Sequence, residues 1–106
     1  MAIASDEIME NIKKFLRIVS KNGLHIERAI VFGSYAKGKQ NEWSDIDIAI
    51  ISKDFTGVRF YDRKRLNPYL IRIDSRIETH PFRPEDFTRD DLFVVQILKE
   101  GIEIIN

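Results

Sequence analysis

At 106 residues, with 43% hydrophobic and 32% charged side chains, the chain has a globular composition and room for one hydrophobic core, so we expect a single domain over 1–106. Seventeen basic and seventeen acidic residues cancel to zero formal charge, which argues against a basic coat for nucleic acid. The absence of cysteine excludes disulfides, Cys-ligated zinc and a thiolate nucleophile, and His25 and His80 as the only histidines argue against a His-rich metal site, which leaves any metal to carboxylates and points to a hard ion such as Mg2+ or Mn2+.

The first element is a helix over about 5–21. Ser5 suits its N-cap, Asp6 and Glu7 suit the positive end of its dipole, and Ile8, Ile12, Phe15, Leu16 and Val19 recur at helical spacing up to Gly23. His25 to Phe32 reads as a buried strand. Ser34–Lys37 is predicted to be a short helix and 39–44 a polar loop. Asp45–Ile51 alternates strictly, with Asp45, Asp47, Ala49 and Ile51 on one face and Ile46, Ile48 and Ile50 on the other, which predicts a second strand. A helical pattern over 58–73 offers Phe60, Leu66 and Leu70 as inward positions, and Pro68 is expected to kink or split it. A third strand is expected over 75–80, closed by Pro81. A short helix at Pro84, a last helix capped by Asp90 or Asp91 and stopped by Gly101, and an edge strand at Ile102–Ile105 follow. The alternation predicts one sheet with helices packed on it. The longest uncharged apolar run, Leu92–Leu98, is far short of the roughly 20 residues a membrane span needs. The acidic N-terminus is unlike a secretory signal, and a cytoplasmic protein is expected.

Two segments carry chemistry. A buried strand runs into Gly33-Ser34 and a helix start, where free backbone N–H groups attract phosphate; Lys37 and Lys39 add positive charge nearby. Asp45 and Asp47 then share one strand face about 6.5 Å apart at Cα. Two carboxylates so spaced can converge on a metal pair about 3.5–4 Å apart, the arrangement of two-metal phosphoryl transfer. A third carboxylate would complete the site. Glu78 is the first candidate, and Asp74, of the same parity, is the fallback.

Gly33-Ser34, ten intervening residues, Asp45-Ile46-Asp47 and an acid on a later strand resemble the signature of DNA polymerase β-like nucleotidyltransferases. The run Gly-Ser-Tyr-Ala-Lys-Gly is most similar to the minimal nucleotidyltransferases, which are commonly encoded beside a HEPN-domain protein as toxin–antitoxin pairs. The resemblance is close over Ile30–Ile51 and elsewhere rests on the order of elements. It implies an α+β fold, a mixed sheet of three or four strands flanked by helices. It implies that Gly33 and Ser34 hold the β- and γ-phosphates of ATP, with Lys37 a further phosphate contact. Asp45 and Asp47 would ligate two Mg2+ ions, with Glu78 as third catalytic and metal carboxylate. Glu78 departs from the family's usual aspartate in an apolar strand.

The function expected from the resemblance is Mg2+-dependent transfer of AMP to a protein hydroxyl, a tyrosine of a HEPN-type RNase toxin, which makes the chain an antitoxin. The alternative is an antitoxin that neutralises its partner by binding alone. No membrane and no direct nucleic-acid partner are expected. Phe55 to Tyr61 sets aromatic residues beside a basic run and reads as a partner surface, although Phe60 also suits the chain's own core. Tyr35 and Trp43 read as local packing residues, and His25 and His80 as structural ones.

Overall fold

The computed structural model describes residues 6–33 and 46–105. The predicted short helix at 34–37, the loop at 39–44, and residues Ser5, Ser34, Tyr35, Lys37, Lys39, Trp43 and Asp45 lie outside it. The first helix, α1, spans Asp6–Lys21, and its five periodic apolar side chains are all buried. It stops where Gly23 takes φ +97°. Gly23 N–H bonds the Ser20 carbonyl (3.2 Å) and Leu24 N–H bonds the Val19 carbonyl (3.3 Å), the paired bonds of a Schellman motif, with Leu24 and Val19 both buried.

Strand β1, Arg28–Phe32, is shorter than the expected 25–32. Glu27 N–H bonds the carbonyl of Ile51, where the neighbouring strand ends, and His25 N–H is taken by Asp54 Oδ2 at 2.7 Å. The pairing partner runs out before 25–27 can join the ladder. Strand β2, Ile46–Ile51, alternates as predicted. Ile46, Ile48 and Ile50 join the core against α1 and the second helix, while Ala49 and Ile51 face the other way.

Helix α2, Arg59–Ile73, is one element through Pro68, against the expected kink or split. Pro68 is exposed, and the carbonyl its ring leaves unbonded belongs to exposed Lys64, where water can replace the lost donor. Phe60 is a correction: it is 69% exposed, and the buried stripe is Asp62, Leu66 and Leu70. The cause is polar. The Asp62 carboxylate accepts from Thr56 N–H (2.8 Å), Thr56 Oγ1 (3.0 Å) and Gly57 N–H (3.0 Å), which pins the rotation of α2 and turns Phe60 to solvent. Phe55 is also corrected, from partner surface to core.

Strand β3, Ile77–Phe82, starts later and ends later than the predicted 75–80. Pro81 lies inside it because β3 is an edge strand, where a missing N–H costs no central ladder bond. A 3-10 turn at Pro84–Asp86 leads to α3, Leu92–Glu100, capped by Asp91 through Phe93 N–H (2.9 Å), and to β4, Ile102–Ile105. A side chain at Gly101 would meet Ile30 Cγ2 and the Ile97 carbonyl, so glycine here serves the close approach of α3 to β1. Arg28 and Glu103 tie β1 to β4 (2.8 and 2.9 Å).

The fold is α+β: a four-stranded mixed sheet in the order β3-β2-β1-β4, parallel only between β2 and β3. α1 and α2 cover one face with the larger apolar core, and α3 packs on the other around Ile30, Phe32, Ala49, Ile51 and Ile97. Among the described residues no helix is long and apolar enough to cross a membrane.

Asp62→Ala would leave two backbone N–H groups and a hydroxyl without their acceptor. It is expected to cost about 2–3 kcal/mol in urea unfolding; a loss under about 0.5 kcal/mol would mean that other contacts hold the loop.

Candidate functional site

Parallel pairing sets Asp47 beside Glu78 and Ala49 beside His80, and antiparallel pairing sets Phe32 beside Asp47. Alternation turns Phe32, Asp47, Glu78 and His80 to the α3 side of the sheet. One ligand atom from each of Asp47, Glu78 and His80 lies within 4.8 Å of the others. His80 Nε2 is 3.1 Å from Asp47 Oδ1 and 3.9 Å from Glu78 Oε2. The His80 ring is buried against Phe32 (5.0 Å between centroids) and Phe93 (5.6 Å). The carboxylates are more open, Asp47 at 25% and Glu78 at 36% side-chain exposure, so the acids face a solvent-accessible space while the imidazole forms its wall.

Gly33 directly follows β1 and has φ +81°. A Cβ at this position would collide with Asp47 Oδ2, so glycine is needed both for the backbone conformation and for the carboxylate beside it. From the start of α2, Arg59 reaches in: its Nη2 lies 3.3 Å from His80 Nδ1 and 3.9 Å from Glu78 Oε2. Arg59 also lines a groove of about 860 Å³ along α2, with Phe60, Arg63, Lys64 and Ile71.

The structure thus brings together Asp47, Glu78 and Gly33. It does not bring in Asp74. The chain turns at 75–76, so the parity that linked Asp74 to Glu78 does not apply. Asp74 caps α2 instead, and its carboxylate accepts from Arg76 Nε (3.0 Å), Nη2 (2.9 Å) and N–H (3.1 Å) and from Asn11 Nδ2 (3.4 Å). The Arg76 hydrogen bonds hold its carboxyl below the ordinary aspartate value, against the opposing effect of burial. His80, read from sequence as structural, lies inside the cluster; its spacing of two from Glu78 on one strand was the available signal.

The sequence profile of the nucleotidyltransferase domain family, polymerase β-like in kind, matches residues 12–104. The chain belongs to this family. It is 28% identical over 100 residues to a Methanocaldococcus jannaschii protein named "Putative protein adenylyltransferase MJ0141", covering 92% of this chain and 96% of that one. Its fold is similar to that of a crystal structure described as "a putative nucleotidyltransferase from Sulfolobus solfataricus", at TM-score 0.65 and 20% identity over 90% of this chain and 77% of the other. It is also similar, at TM-score 0.62 and 26% identity, to a chain in the crystal structure of a "toxin-antitoxin with AMP-PNP", over 90% of this chain and 70% of that one. For a nucleotidyltransferase enzyme the donor set is chemically apt. Two adjacent carboxylates supply the hard oxygens that a divalent cation takes, so the residues present fit such an ion.

The Asp74 carboxyl titrates lower in the folded chain than in the unfolded one. Its ionised form therefore adds stability fully above the unfolded value of about 3.9, and that stability is lost as pH falls through the native value. Asp74→Asn is expected to lower the urea midpoint at neutral pH, and the gap to the wild type should close in acid. A gap that stays constant with pH would mean the charge contributes nothing.

Proposed function

We propose that this nucleotidyltransferase transfers AMP from ATP to a protein hydroxyl and serves as the antitoxin of a HEPN-type RNase toxin whose tyrosine is the acceptor. The observation that carries the reading is the register that sets Asp47 and Glu78 side by side, with Gly33 packed on the Asp47 carboxylate. The relative named "Putative protein adenylyltransferase MJ0141" and the neighbour from the "toxin-antitoxin with AMP-PNP" crystal structure support it.

In the transfer the acceptor hydroxyl gives up its proton to solvent, its oxygen bonds the α-phosphorus of ATP, the bond from that phosphorus to the oxygen bridging the α- and β-phosphates breaks, and pyrophosphate leaves. Asp45, Asp47 and Glu78 would hold two Mg2+ ions, which when bound supply positive charge at the triphosphate and lower the pKa of the acceptor hydroxyl. Gly33, Ser34 and Lys37 would hold the β- and γ-phosphates, the backbone N–H groups of the turn donating to their oxygens. Arg59 adds a cation beside the acids. The basic groove along α2, with Phe60 exposed at its edge, suits an anchored protein partner that delivers the acceptor.

The test is incubation of the chain with labelled ATP, Mg2+ and a HEPN protein encoded beside it. Label should appear on a partner tyrosine, and chelation of Mg2+ should abolish it. Asp47→Asn keeps an oxygen to accept from His80, so the fold should survive while transfer falls about 100-fold or more. Neutralisation of the partner by the wild-type chain with no label transferred would favour binding alone.

A further inference from the structure

His80 is 8% exposed and its ring is walled by Phe32 and Phe93, so both ring nitrogens depend on protein partners. Those partners are of opposite kinds. At Nδ1 lies the Arg59 guanidinium, 3.3 Å away, which donates and has no acceptor. Nδ1 therefore carries the lone pair, and the proton of the neutral ring sits on Nε2. That N–H points at Asp47 Oδ1, 3.1 Å away. The other oxygen of the same carboxylate fills the space that a Cβ at Gly33 would take.

Resting on the reading of Asp47 as a cation-holding acid, we propose that His80 is a positioning residue. Its Nε2–H fixes the Asp47 carboxylate, Arg59 fixes the tautomer that makes this possible, and the cation is held by oxygen alone. The competing role, His80 as a ligand through Nε2, conflicts with its surroundings. A ligating imidazole donates its second N–H to an acceptor, whereas the second nitrogen here faces a donor. An Asp47 oxygen that accepts one N–H still has a lone pair for a cation. With Oδ1 held by His80, the acid is oriented before any substrate arrives.

Nitrogen-15 spectra of the wild-type chain should find the proton of the neutral His80 ring on Nε2; a proton on Nδ1 would overturn the proposal. Mn2+ is the second probe, read by calorimetry and pulsed EPR. The proposal expects no directly bound nitrogen in the Mn2+ spectrum, and a strong imidazole coupling would make His80 a ligand and overturn it. His80→Phe keeps the aromatic packing and removes the donor, and should weaken Mn2+ binding about 10–100-fold. His80→Gln returns an N–H donor near Nε2 and should recover most of that loss. Unchanged Mn2+ affinity in a folded His80→Phe variant, judged by its circular dichroism and urea midpoint, would overturn the positioning role. Asp47→Asn separates the two levels. If it binds Mn2+ as the wild type does, the assignment of Asp47 itself fails; if it loses binding while His80→Phe does not, only the present proposal fails.

Discussion

Ile46–Ile51 and Ile77–Phe82 pair in parallel, and a slip of one residue between them would turn one acid of the Asp47–Glu78 pair to the opposite sheet face. The slip is opposed from the other side of the sheet. Ile46, Ile48, Ile50 and Ile77 are all buried against α1 and α2, and none could reverse without giving up its place in the main core. Apolar packing on one face thereby sets the spacing of the polar groups on the other. The site borrows its accuracy from side chains that never touch it.

The division of labour between the faces follows. The larger cluster, under α1 and α2, carries most of the apolar burial. The smaller one, under α3, ends in the aromatic wall of Phe32, Phe93 and His80. Charges at the open end of that wall can be exchanged with little loss to the core, as the exposure of Asp47 and Glu78 indicates.

Periodic features were the legible ones. The strict alternation of β2 gave away both its faces, the apolar repeat of α1 marked its buried side, Gly23 marked a helix end, and Asp90 and Asp91 marked a helix start, which the structure assigns to Asp91. What stayed hidden depended on neighbours. Pro81 reads as a strand breaker until β3 is known to lie at an edge. Phe60 reads as core because apolar character is visible in a sequence, whereas the three hydrogen bonds on Asp62 that rotate α2 are not. His80 gave a weak signal for a similar reason. A single histidine in a strand acquires a role only from what stands across from it, here Asp47 on one side and an arginine from the far end of a helix crossover on the other.

The contact between Gly33 and Asp47 joins two parts usually thought of separately, a turn and an acid. The carboxylate occupies the space that a side chain at Gly33 would take, so acid and turn can stand this close because that position carries no Cβ. A substitution in the turn would therefore reach the acid on the neighbouring strand without touching that strand's own sequence.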